Sequence, residues 1–119
     1  MISKELLSAV YPIDETAETY VGIQESTGRV MWFGKEYNDC RSEIDIHRVA
    51  HKCKEWALDN RWMICTMPML TEKKWRNTSV RLSHFYSAGK DRYLDGIYHN
   101  GRIEAIFKAC QWILDKDSK

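Results

Sequence analysis

The chain has 119 residues, with 18 Lys and Arg against 17 Asp and Glu and a formal net charge of +1. That length suits one domain over 1–119 and is enough to bury a core without disulfides or a metal. Apolar residues at 44% and charged residues at 29% exclude a disordered chain. The near-neutral charge leaves no whole-molecule field to select nucleic acid, a membrane surface or an acidic substrate.

The charge is unevenly spread. Residues 1–60 carry 7 basic and 11 acidic side chains, and residues 61–119 carry 11 basic and 6 acidic. Most of the basic excess falls between Arg61 and Arg92. The opening residues MISKELLSAVYP hold Glu5 and lack the apolar run of a secretory signal. No stretch reaches the roughly 18–20 apolar residues of a membrane span. The four cysteines, Cys40, Cys53, Cys65 and Cys110, form no C-x-x-C pair. Reduced thiols in a cytoplasmic protein are the expectation.

Residues 3–10 read as a short helix closed by Pro12, since proline cannot continue a helix. Residues 18–24 and 29–34 read as two strands, joined through Gly28, which supplies the positive φ of a hairpin turn. A polar loop follows, containing Asn38, Asp39 and Ser42. Residues 45–59 predict a helix, because Ile46, Val49, Ala50, Cys53, Trp56 and Ala57 recur at helical spacing, with Asp45 or Ser42 as the cap. Residues 61–66 read as a buried strand, then Pro68 and Thr71–Trp75 as a loop or a single helical turn. Residues 79–86 alternate as a strand, 92–99 form a weaker one, and 102–114 form the last helix.

HKCKEWALD at 51–59 resembles KACQWILD at 108–115 if one residue is skipped. Each closes a unit of two or three strands and a helix. The expected fold is therefore α+β: one antiparallel sheet of four to five strands with two main helices on one face, β-β-α then β-β-(β)-α, plus a short N-terminal helix.

Cys40, His47, His51 and Cys53 are zinc ligand types crowded into one segment. On a helix, however, Cys53 points with Ile46 and Val49, and His51 points about 160° away. No metal site is expected, and His47 is followed by Arg48 rather than the Glu of H-E-x-x-H. Cys53, Cys65 and Cys110 read as core thiols, which leaves Cys40 as the candidate for reactivity. The phosphate-loop, dinucleotide and hydrolase signatures are absent from the sequence. No catalytic residue and no cofactor are expected.

Two surface features remain. Lys73, Lys74, Trp75, Arg76 and Arg81 combine cations for phosphates with an aromatic for unpaired bases. In the last helix Ile103, Ile106, Phe107, Cys110, Ile113 and Leu114 form the core face. Trp112 projects opposite them, beside Ala105 and Ala109. That second stripe needs cover from the N-terminal helix, through Ile2, Leu6, Leu7 and Val10, or from another chain.

The segments AHKCKEWALD and EAIFKACQWIL resemble small bacterial proteins of unknown function, some encoded near phage or other mobile elements. The resemblance covers about a quarter of the chain and implies no activity or catalytic residue. It favours a phage-accessory or host-interaction role. The expectation is a non-enzymatic accessory protein that binds another protein or forms a homodimer through Ala105, Ala109 and Trp112. The alternative is nucleic-acid binding through the 61–92 segment. No membrane partner is expected.

Overall fold

A computed structural model describes the backbone of residues 2–71, 74–84, 92–93 and 101–117, and the side chains of 2–66, 82–83 and 101–116. The elements run α1 (Lys4–Val10), β1 (Thr19–Ile23), β2 (Val30–Gly34), β3 (Cys40–Glu43), α2 (Ile46–Asp59), β4 (Trp62–Thr71), β5 (Lys74–His84), β6 (Arg92–Tyr93) and α3 (Arg102–Asp117). The mixed α+β class is as expected, but the single sheet is not. Two separate antiparallel sheets form, in the orders β1-β2-β3 and β4-β5-β6.

The division has a local cause. β3 falls where the sequence suggests a loop, because all four of its residues are exposed and show no alternation. It pairs with β2 and completes the first meander. α2 then follows, so the chain leaves the first sheet before β4 begins. Among the described residues each sheet is followed by one helix, the two-unit order that the paired helix segments suggested.

The first hairpin is well determined. Gln24 N donates to Arg29 O at 2.8 Å, and Gly28 takes φ 73°. A side chain rarely adopts that conformation, so glycine is the economical residue there. In the second hairpin the expected loop around Pro68 is strand instead. β4 runs through Pro68, opposite Thr78, to Thr71. Proline is tolerated because β4 lies at the edge of its sheet, where a missing N–H donor need not break a ladder bond. The expected strand over 92–99 is described only at Arg92–Tyr93, and 94–99 lie outside the described residues.

Helix ends follow ordinary capping. Ser3 Oγ accepts from Leu6 N at 3.1 Å, and Asp45 Oδ1 accepts from His47 N at 2.8 Å. α2 closes through Arg61, held at φ 71°, whose N–H donates to Leu58 O at 2.8 Å. Glycine more often fills this left-handed closing position.

α2 and α3 pack against each other and on the second sheet, while α1 reaches β1, α2 and α3. Trp62 and Ile64 of β4 and Leu82 of β5 turn inward, and Met63 between them is 39% exposed. One core therefore joins Leu6, Leu7 and Val10 of α1 to Val49, Cys53 and Ala57 of α2 and to Ile106, Cys110 and Ile113 of α3. The Ser3 hydroxyl donates to Gln111 Oε1, which ties the start of α1 to α3.

Candidate binding grooves

Ala105 and Ala109 are completely buried within the chain. Trp112 packs edge-on against Trp62, with ring centroids 5.4 Å apart and planes at 87°. Lys116 Nζ lies 4.8 Å from the Trp62 ring and 5.1 Å from the Trp112 ring. The stripe expected on the back of α3 is thus interior. Trp62 of β4 covers Trp112, and α1 also packs on α3. The small alanines let α3 lie close to the sheet, and the core side of the helix extends round to Phe107, which is 3% exposed. A helical wheel could not show that α1, α2, β4 and β5 all contact α3.

The His and Cys residues of α2 diverge. Cys53 is fully buried, and Cys110 Sγ donates to its carbonyl at 3.4 Å. The hydrogen bond to the Cys53 side chain, with burial, pushes the Cys110 thiol well above its ordinary range. His51 lies outside, with Nε2 3.1 Å from Glu55 Oε1. Cys40 is exposed on β3, where Gln24 Nε2 donates to its sulfur at 3.6 Å. Among the described residues no group of three or more His, Cys, Asp and Glu side chains could hold a metal ion. Of the basic segment, Lys74, Trp75, Arg76 and Arg81 belong to β5. Lys73 lies outside the described residues.

The sequence reading missed a groove of about 900 Å³ between α2 and the β2–β3 sheet. Trp32 and Tyr11 line it, with ring centroids 6.3 Å apart and planes at 80°. Trp32 is 37% exposed although it stands in the middle of an apolar strand. The strand pairings explain this. Trp32 lies opposite Val21 on β1 and Ser42 on β3, and Val21 packs against the core. The tryptophan therefore faces the helix side of the sheet from its central strand, where the groove leaves the ring partly open and Tyr11 meets it edge-on.

The charges around the groove have both signs. Arg48 and Lys52 come from α2, with Glu43 at the end of β3, Asp45 at the cap of α2 and Glu55 further along the helix. Lys52 Nζ is 3.9 Å from Glu55 Oε2, and Arg48 has no ion-pair partner among the described residues. Tyr11 senses this setting: burial raises its hydroxyl pKa above 10.0, with Cys53 and Glu55 adding to the rise and Arg48 opposing it. Its volume is that of ordinary ligand sites, but the lining is largely polar and charged, with Trp32, Tyr11 and Ile44 as its apolar part. The missed signal was Tyr11, set between the short helix and Pro12, which a strand-by-strand reading assigns to a turn.

No family model matches the chain, and neither a curated protein nor a solved structure matches it. No helix among the described residues is long and apolar enough to cross a membrane.

Proposed function

We propose that this chain acts by binding another protein, with the groove between α2 and the first sheet as the docking site. The observation that carries the reading is Trp32, 37% exposed and held edge-on by Tyr11 beside Arg48, which has no ion-pair partner among the described residues. Tryptophan, tyrosine and arginine are the residues that most often dominate protein interfaces, and they do so from partly preformed pockets. Leaving a large aromatic ring half in water forgoes hydrophobic stabilisation that a partner would supply. The mixed-sign rim suits a polypeptide better than a phosphate backbone, which would repel Glu43, Asp45 and Glu55. The role is that of a non-enzymatic accessory protein, and the resemblance of the two helices to phage-associated bacterial proteins is compatible with it.

Site-specific photo-crosslinking tests the proposal. A photoreactive amino acid replaces Ser42, inside the groove, or Tyr37, which is 76% exposed on the β2–β3 turn. Position 42 is expected to give discrete protein adducts in the native cell. Position 37 is expected to give none, and Trp32→Ala is expected to abolish those from position 42. Adducts from both positions alike, or none from position 42, would contradict the reading. Adduct mass separates a second copy of the chain from a different protein.

A further inference from the structure

A second cleft, of about 490 Å³, lies on the other flank of α2, against the first turn of α3. Its described polar lining is His47, His51, Lys54 and Arg102, above Ile103 and Ile106. Every ionisable side chain among these residues is basic. His51 reaches Glu55, whereas neither Lys54 nor Arg102 has a carboxylate partner among the described residues.

The gathering of cations is unfavourable for the chain alone. Arg102 is the first residue of α3, a helix of 16 residues. The helix dipole makes that end positive, and although Glu104 in the first turn complements it, Arg102 is poorly placed there. Lys54 adds a like charge to the same cleft, and like charges repel. The floor is of the opposite character: Ile106 is 2% exposed and Ile103 is partly buried against the core. A small anion with an apolar body would satisfy both parts. Its charge would meet Lys54, Arg102 and the helix terminus, and its body would cover the exposed part of Ile103. The volume matches sites for small organic ligands.

We infer that this cleft is a binding site for a small organic phosphate. A phosphate group presents several acceptor oxygens to Arg and Lys donors, and arginine can engage it through two parallel hydrogen bonds. The site is separate from the Trp32 groove and shares only the His47 and His51 ridge with it.

The test uses the full chain with phenyl phosphate, inorganic phosphate and benzyl alcohol as probes, followed by calorimetry and amide chemical-shift mapping. Phenyl phosphate is expected to bind most tightly, inorganic phosphate more weakly and benzyl alcohol not at all. Its shifts are expected to concentrate at Lys54 and Gly101–Ile103. Lys54→Glu and Arg102→Glu are each expected to weaken phenyl phosphate at least tenfold. Lys4→Glu, on the exposed surface of α1, is expected to leave it unchanged. The mapping on the unsubstituted chain needs no variant to fold. Absence of binding, equal affinity for the two phosphates, shifts centred elsewhere, or an equal loss in Lys4→Glu would overturn the inference.

Discussion

Trp112 of α3 and Trp62 of β4 meet edge to face, 5.4 Å between ring centroids, beneath the ammonium of Lys116. This contact fixes α3 on the second sheet and makes Trp112 a structural residue. Trp112→Lys is expected to cost about 2–3 kcal/mol in urea unfolding, less than a fully buried tryptophan because Trp112 is only half-buried. Light scattering is expected to give the same mass for wild type and variant. A double-substitution cycle on Trp62 and Trp112 is expected to show a coupling of about 0.5–1.5 kcal/mol.

The thiols are expected to separate by rate of alkylation. Cys40 is exposed, Cys65 is intermediate, and Cys53 and Cys110 are buried. Iodoacetamide labelling followed by peptide mass spectrometry is expected to find Cys40 first. Cys53 and Cys110 are expected to react roughly a hundredfold or more slowly, through unfolding. The hydrogen bond to Cys53 and burial also hold the Cys110 thiol protonated, which slows it further.

Asp14 gives a pH dependence of defined sign. Thr16 Oγ1 and Thr16 N donate to Asp14 Oδ1 at 2.7 and 3.0 Å, and these bonds hold its pKa below 3.8. A depressed folded pKa contributes stability that is present above the unfolded value and lost as pH falls through the folded one. Thr16→Val removes the hydroxyl donor, the largest cause, and leaves the backbone donor. The Asp14 carboxyl carbon, followed by NMR, is expected to titrate at higher pH in the variant.

Tyr11 carries the opposite sign. Its folded pKa lies above 10.0, chiefly through burial, so stability is expected to decline as pH rises through the ordinary tyrosine range. Arg48 lowers the Tyr11 value, so Arg48→Gln is expected to raise it further, read from the Tyr11 ring carbon beside the phenol oxygen.

Arg102 offers a trade between stability and binding. In the absence of ligand, Arg102→Glu places an anion at the start of α3 and removes a cation facing Lys54. Thermal unfolding is expected to show a gain of about 0.3–1 kcal/mol. The same substitution is the one expected to weaken phenyl phosphate.

Much of the fold is legible in local patterns. The Gly28 turn, the Asp45 cap and the apolar spacing of α2 each dictate a local outcome that tertiary packing leaves alone. β3 is not legible, because Cys40, Arg41, Ser42 and Glu43 are all exposed and their strand state comes entirely from pairing with β2. The β4–β5 hairpin was hidden by Pro68, which suggests a break unless the edge position of the strand is known. The candidate site was less legible than the fold. Trp32 sits in the apolar run of β2 and Arg48 within α2, and neither position by itself points to a groove. Only the three-dimensional placement of Tyr11 brings them to one groove.

The most direct measurement is the affinity of the protein crosslinked from position 42 for the purified chain and its Trp32→Ala variant. The variant's helix and strand content are checked first by circular dichroism. Docking through the groove predicts a loss of about 2 kcal/mol, roughly thirtyfold in Kd, the size expected of a dominant interface tryptophan. An unchanged Kd in a folded Trp32→Ala variant would contradict it.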